Sequence, residues 1–278
     1  MAGGASSRMK KSLQDFNLDS TVKEIALNQH KSLIPLGNSG KPMLYYLLRN
    51  ASGAGIKKVY IITSEENSTF HQFLNSIEND ESLMQLQIHI AIQYLEKGRE
   101  KPLGTADALK QCLEQYENLT RERFTVCNGD NLYSSEAMKV LRQERKSPHA
   151  TIAYIGSGLG FDDNQLAKFA VMEIDNNGFL QQIIEKPSQE VMNMYRSKRG
   201  ELSISMNIFN FSGNEIYPFL VNCPINPKRK EKELPEAVRN LVRHITKSVV
   251  CFYRSERIPD LTTAKDISLF QEGNKKRP

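Results

Sequence analysis

The sequence predicts an α/β protein built on a mixed, mostly parallel sheet flanked by helices on both faces. The main observation is a regular exchange, between residues 41 and 155, of short apolar runs of strand length with longer amphipathic stretches of helical period. Bulk composition agrees: 278 residues with 39% hydrophobic and 25% charged side chains can bury a sizeable core in water. No apolar stretch approaches the roughly 20 residues that a membrane-spanning helix needs.

The elements can be justified in order. KPMLYYLLRNASGAG opens a helix near Pro42, sets Met43, Leu44, Leu47, Leu48 and Ala51 on one side, and closes on glycines. KKVYIIT is an apolar run of the kind buried on both faces of a parallel sheet. Ser68 starts a helix through STFHQFLNSIEN. LQIHIAIQY reads as strand, GTADALKQCLEQY as helix, RFTVCNGD as strand, SSEAMKVLRQERK as helix and HATIAYIG as strand. After residue 165 the rhythm changes. KFAVMEIDNNGFLQQIIEKP reads as two strands joined through Asn177–Gly178, a hairpin signal. ELSISMNIFNF follows as a strand, SGNEIYPFLV and ELPEAVRNLVRHIT as helices, and SVVCFYR as a last strand. The expectation is a single domain over 1–272, with halves of about 1–165 and 166–272, then a basic tail at 273–278. A strand should deliver the chain to a glycine-rich turn, yet only Met1 and Ala2 precede Gly3. The first strand is therefore expected to be truncated, or its place taken by another element.

The net charge of +5 is mildly basic and suits a protein that handles phosphates. The basic runs KRKEK and KKR read as loop and tail, and no aromatic-studded basic face suggests nucleic acid. Cys112, Cys127, Cys223 and Cys251 fit no metal or redox spacing, and Cys127 and Cys251 lie in apolar runs. Buried thiols, a reducing compartment and a cytoplasmic setting are the expectation, with no membrane partner. A homo-oligomer is left open.

Several short motifs bear on chemistry. GNSGKP fails the spacing of a phosphate loop and reads as a turn entering a helix; GSGLGF reads as a loop. FTVCNGDN ends an apolar strand on Asp130, at the carboxyl edge of the sheet, where open α/β folds bind ligands. A carboxylate there is an apt oxygen ligand for Mg²⁺. GGASSR opens the chain with two permissive glycines beside Arg8, whose fork of donors suits phosphate oxygens.

Taken in order, GGASSR, HKSLIPL, GKPMLYYLL, PLGTADAL, NGDN, EKP, SMNIFNF and RIPDLTTAKDI resemble the blocks of the sugar-phosphate nucleotidylyltransferases, the nucleoside-diphosphate-sugar pyrophosphorylases. That family's pattern runs GGxGTR, PK, KPM, GTA, GD, EKP, NxGxY and DxxTxxD. The resemblance spans nearly the whole chain and implies a Rossmann-like fold of the nucleotide-diphospho-sugar transferase type, with a nucleotide-binding first half and a sugar-binding second half. It implies attack of a sugar 1-phosphate on the α-phosphorus of a nucleoside triphosphate, with pyrophosphate released.

The same resemblance implies residue roles. Gly3 and Gly4 would approach the base and phosphates, and Arg8 and Lys31 would hold the phosphates and developing charge. Gln93, Gly104 and Thr105 match positions that contact the base; Gln93 reads equally well as a solvent-facing strand end. Asp130 and Asp260 would hold Mg²⁺. Glu185 would accept bonds from sugar hydroxyls, Lys186 would grip the sugar phosphate, and Asn207 would face the sugar.

The chain departs from the pattern at Ser6 and Ser7, in a variant also seen in the related molybdenum-cofactor nucleotidylyltransferases. It also has His30 before Lys31, and no glycine after Asn207. An insertion separates Arg8 from Lys31, polar with a short amphipathic centre, which could cover the nucleotide. Transfer to a non-sugar phosphorylated acceptor and a non-catalytic nucleotide-binding regulator remain alternatives. The presence of Arg8, Lys31, Asp130 and Asp260 together favours catalysis.

Overall fold

The predicted alternation of strands and helices holds through the middle of the chain, but the predicted parallel pairing holds only in part. The structure, a computed structural model, describes residues 1–267 apart from 3–5, 17–18 and 38. In chain order the elements are α1 (Ser7–Ser12), α2 (Ser20–Asn28), α3 (Met43–Gly53), β1 (Lys58–Thr63), α4 (Ser68–Ser76), β2 (Gln87–Ile92), α5 (Thr105–Gln115) and β3 (Arg123–Val126). Then follow α6 (Ser135–Leu141), β4 (His149–Ile155), α7 (Asp163–Leu166), β5 (Ala170–Ile174), β6 (Leu180–Ile184) and α8 (Gln189–Arg199). The last are β7 (Ser203–Ser205), β8 (Phe209–Ser212), α9 (Gly213–Val221), α10 (Leu234–His244) and β9 (Val249–Arg254). Helix α8 was not legible as such, although Ser188 caps its start through the Val191 N–H and Gly200 ends it in the left-handed region.

The chain divides into two compact units, each drawn from separate stretches. One holds Met1–Tyr94, Asn128–Ser135 and the described residues from Pro259 on; the other holds Leu95–Cys127 and Glu136–Ile258. In the first unit β1 and β2 pair in parallel over their full length. The two residues ahead of the glycine turn pair as well. The Ala2 N–H donates to the Ile62 carbonyl (2.8 Å), and the Gly129 N–H donates to the Met1 carbonyl (2.9 Å). Met1 and Ala2 thus bond to β1 on one hand and to the Asn128–Gly129 segment on the other, where a first strand was looked for.

The insertion between Arg8 and Lys31 is not merely a polar cover. Met9, Leu13 and Ala26 from α1 and α2 are buried in one cluster with Ile34, Leu36, Met43, Leu261, Ala264 and Ile267. Ser12 adds a polar stitch: its Oγ donates to the Met9 carbonyl (2.9 Å) and accepts the Ala264 N–H (2.8 Å). The amino-terminal helices are therefore fastened to the segment that carries Asp260.

In the second unit the expectation of a mostly parallel sheet is corrected. Among the described residues its seven strands pair antiparallel except for β4 with β9. The cause is visible in the register. Strand–helix–strand rhythm does not make consecutive strands neighbours, and β8 runs back between β3 and β4. The single strand expected at ELSISMNIFNF is broken in two. Its first part, β7, lies between β4 and β5, and its second, β8, lies between β4 and β3. The break falls at Asn207, whose φ of 58° lies in the left-handed region.

All four cysteines are free thiols; Cys112, Cys223 and Cys251 are buried, whereas Cys127 is only half-buried, contrary to expectation. Burial pushes Cys112 and Cys223 up to about 11, so these thiols stay protonated. His149 on β4 is fully buried; its Nδ1 accepts the Ser212 N–H (3.2 Å) while its Nε2 finds no partner among the described residues. Burial, helped by Arg145 and Arg123, holds it down at about 4.

Two outcomes are expected. Leu13→Ala opens a cavity in the cluster that binds α1 to the Asp260 segment, costing about 2–4 kcal/mol and lowering the urea midpoint with an unchanged slope. The second concerns His149. The unfolded chain binds a proton below its ordinary 6.5 while the folded chain resists until about 4, so stability is full above 6.5 and falls as pH drops between these values, by up to roughly 3 kcal/mol. Urea melts of wild type and His149→Gln at pH 7.5 and 5.0 check this, the variant losing less on acidification.

Candidate active site

The site in the first unit is assembled by a short backbone bridge. Asn131 and Asp260 face each other across an isolated antiparallel bridge. The Leu132 N–H donates to the Pro259 carbonyl (2.9 Å), and the Leu261 N–H donates to the Asp130 carbonyl (2.8 Å). Two carboxylates distant in sequence, Asp130 and Asp260, are thereby brought to one place. Asp260 is clamped from both sides: Asn131 Nδ2 donates to its Oδ1 (2.8 Å) and Thr262 Oγ1 to its Oδ2 (2.6 Å). Burial, then the charge of Asp130 and a smaller push from Asp266, raises Asp260 to about 6; the Thr262 hydroxyl and Lys31 pull the other way.

Lys31 completes this group. Its ammonium forms an ion pair with Asp130 Oδ2, both side chains being largely shielded at 13% and 18% exposure. Its backbone is pinned at the head of a 3-10 turn, Lys31–Leu33, capped by His30 Nδ1, which accepts the Ser32 N–H (3.2 Å). Ser32, Leu33 and Ile34 are buried, and the Lys31 N–H donates to Ser6 Oγ (3.2 Å). Arg8 follows two residues after Ser6, exposed on the first turn of α1. No described hydrogen bond or ion pair engages it, so the structure brings Lys31, Asp130 and Asp260 together and leaves Arg8 extended to solvent nearby in sequence. Gly3 and Gly4 lie outside the described residues.

Gln93 follows β2 immediately, and its N–H donates to the Thr63 carbonyl (2.8 Å) at the end of β1. It is buried, at 4% exposure, which removes the solvent-facing reading. This is the carboxyl edge of a parallel pair, where ligands of α/β proteins are held.

The remaining candidates belong to the second unit. Gly104 has φ 117° and caps α5; a Cβ there would meet the Lys232 carbonyl oxygen at 2.5 Å. Lys232 bonds both sides of this turn, its N–H reaching Leu103 O (2.6 Å) and its carbonyl accepting the Ala106 N–H (2.9 Å). Thr105 Oγ1 accepts the Leu234 N–H (2.9 Å). Packing against residues 232–234 thus accounts for glycine and threonine here without reference to a ligand.

Glu185, Lys186 and Asn207 leave the sheet at one edge. Val171 of β5 faces Ile184 of β6 on one side and Ile204 of β7 on the other, so Glu185 and Ser205 are level, two strands or about 10 Å apart. Lys186 has φ 47° and Asn207 φ 58°, unusual for residues with a Cβ. Asn207 Oδ1 is buried without a partner among the described residues. The Glu185 side chain is open to solvent but hemmed in by protein. That desolvation, then the charge of Glu233, raises its carboxyl above the usual range against Arg229, Arg239 and Lys186.

Sequence reasoning missed the residues that hold the carboxylates in place. Asn131 Oδ1 accepts from Asn128 Nδ2 (3.4 Å) and Tyr133 hydroxyl (3.4 Å), which turns its amide nitrogen toward Asp260. Asn50 of α3 donates through Nδ2 to the Tyr133 carbonyl (2.8 Å) and accepts Ser135 Oγ at its own carbonyl (2.8 Å). Asp266 accepts the N–H groups of Thr262 and Thr263 (3.0 and 2.6 Å), fixing the turn after Asp260. Asn131 and Asp266 stood in the quoted motifs; nothing in the sequence pointed to Asn50.

The donor set suits a hard divalent cation: two carboxylates on one bridge, one of them desolvated. No group of three or more His, Cys, Asp or Glu able to hold a metal occurs among the described residues. Such a cation would take Asp130 and Asp260 as its protein oxygen ligands. For the second unit, Gly104→Ala is expected to cost more than the roughly 1 kcal/mol of a positive-φ alanine, because Cβ would drive the Lys232 backbone away. A urea midpoint well below that of wild type, measured by circular dichroism, checks this.

Comparison with known proteins agrees with this geometry. A family model described as nucleotidyl transferase matches residues 21–267, a span that includes Lys31, Asp130 and Asp260 and begins after Arg8. Glucose-1-phosphate adenylyltransferase 1 of Vibrio cholerae is 24% identical over 169 residues, covering 61% of this chain and 41% of the relative. Glucose-1-phosphate adenylyltransferase of Hydrogenovibrio crunogenus is 25% identical over 215 residues, covering 75% and 48%. The chain thus spans less than half the length of these relatives. With a family match over most of its length and the carboxylates of its motifs joined by one backbone bridge, the chain belongs to the nucleotidyl transferase family.

Proposed function

We propose that this protein transfers a nucleotidyl group from a nucleoside triphosphate to a sugar 1-phosphate, forming a nucleoside-diphosphate sugar and pyrophosphate. The observation that carries the reading is the meeting of Asp130 and Asp260 at one bridge, with the Lys31 ammonium ion-paired to Asp130. The match to glucose-1-phosphate adenylyltransferases supports the acceptor class, and ATP with glucose 1-phosphate is the first pair to try.

An oxygen of the sugar phosphate, already anionic at neutral pH, attacks the α-phosphorus. The bond from that phosphorus to the bridging oxygen breaks, and pyrophosphate leaves. No proton has to be removed from the nucleophile, so the work lies in holding two anions in line and compensating their charge. Lys31 and Arg8 serve the phosphates as cations. Gln93 and the Gly104–Thr105 turn serve the base; Glu185, Lys186 and Asn207 serve the sugar phosphate. Asp130 and Asp260 would hold Mg²⁺, which neutralises triphosphate charge and polarises its oxygens when bound.

Pyrophosphate release, screened with the four ribonucleotides and dTTP against sugar 1-phosphates, with Mg²⁺ or chelator, tests the reading. Phosphorylated non-sugar acceptors form a separate arm. Asp130→Asn is expected to keep its fold and lose about 10²-fold or more in turnover. Undiminished activity in that variant, or no release with any pair, contradicts the proposal.

A further inference from the structure

The Lys31–Asp130 pair carries a second consequence, one that rests on the nucleotidyl-transfer reading and concerns the order in which the site is filled. Among the described residues two carboxylates share a partly desolvated corner with a single ion-paired cation, and that cation sits on Asp130, one of the carboxylates that would hold a divalent ion. The Lys31 backbone is immobilised by Ser6, by its 3-10 turn and by buried neighbours, whereas its four-carbon stem retains rotatable bonds. The ammonium can therefore leave Asp130 without any movement of the fold. A divalent ion beside it would meet like charge at short range in a poorly screened place.

We propose that Lys31 is the resident cation of the nucleotide-free site, seated on Asp130 so that a free divalent ion is kept out until triphosphate arrives. The phosphates of the incoming nucleotide then offer the ammonium a stronger partner. Asp130 is released as the charge to be balanced increases, and the divalent ion enters with the nucleotide rather than ahead of it. One lysine thereby serves in turn as a counter-ion to the empty site and as a phosphate ligand in the filled one.

Mn²⁺ binding, followed by electron paramagnetic resonance of the free ion at fixed ionic strength, is a readout independent of turnover. Wild type without nucleotide is expected to take up Mn²⁺ weakly, and Lys31→Met to bind it about tenfold tighter or more. Lys31→Arg stays near wild type, and adding Asp130→Asn to Lys31→Met removes the gain. Lys31→Gln, neutral with a polar end, serves the same comparison should the methionine variant fail to fold. Equal or weaker Mn²⁺ binding in the neutral variants overturns the inference. If wild type recruits Mn²⁺ with an unreactive nucleoside triphosphate through Asp130 while Lys31→Met shows no gain, the inference falls and the functional reading stands. If triphosphate recruits no Mn²⁺ through Asp130 in any variant, both fall.

Discussion

Holding two carboxylates together out of bulk water is the constraint on which the first unit depends. Asp130 and Asp260 repel each other at this separation, and Asp260 is already raised toward neutrality by burial and by its neighbour. The fold counters this with directed donors and an ion pair. Asn131 and Thr262 each give a hydrogen bond to Asp260, and among the described residues Lys31 supplies the positive charge paired with Asp130. Donors to a buried carboxylate are worth more than donors to neutral groups, and their loss strands an unpaired charge. The surrounding polar network is accordingly closed: Asn131 is oriented by Asn128 and Tyr133, Tyr133 is tied to Asn50, and the Thr262 turn is fixed by Asp266.

The amino-terminal insertion makes sense in the same terms. A bridge of one residue pair between Asp130–Leu132 and Pro259–Leu261 offers few backbone bonds of its own. Leu261, Ala264 and Ile267, on the far side of that bridge, are buried against Met9, Leu13 and Ala26. Apolar burial of this kind supplies stability without specifying direction, and Ser12, bonded to the Ala264 N–H, supplies the direction. The segment that follows the glycine-rich start of the chain is thus also the segment that holds Asp260 in register.

Much of this was legible in the sequence, for reasons that differ from element to element. Helices α3, α5 and α10 were readable because one apolar face and a terminal Pro or Gly mark each of them. The β5–β6 hairpin was readable because Asp175 and Gly178 encode its turn locally; Asp175 Oδ1 accepts the N–H groups of Asn177 and Phe179, and Gly178 has φ 83°. Strand partners were not readable. The return of β8 between β3 and β4 is a long-range choice that leaves no trace in residue spacing. The acidic and basic residues of the site were found because they stand in motifs. Their supports were not, since an asparagine on α3 that bonds to Tyr133 looks like any surface asparagine until the chain is folded.

The second unit holds a cost of a different kind. Lys186 and Asn207 both occupy the left-handed region without being glycine, each at the point where its strand leaves the same sheet edge. Such conformations cost on the order of 1 kcal/mol or more apiece and survive only where surrounding structure imposes them. Asn207 adds a buried amide oxygen with no partner among the described residues, a further expense that a more regular strand would avoid. At Asn207 the strain has a visible source. The backbone there passes from pairing with β4 and β5 to pairing with β4 and β3, and Thr151 Oγ1 holds the exit by donating to the Ile208 carbonyl (2.8 Å). The break could have been absorbed by glycine at no steric cost. A buried acceptor at the kink calls for a donor, which an ordered water or a ligand hydroxyl can supply. A sugar has such donors, and in the sugar-binding role proposed for Asn207 the kink would form part of the binding edge.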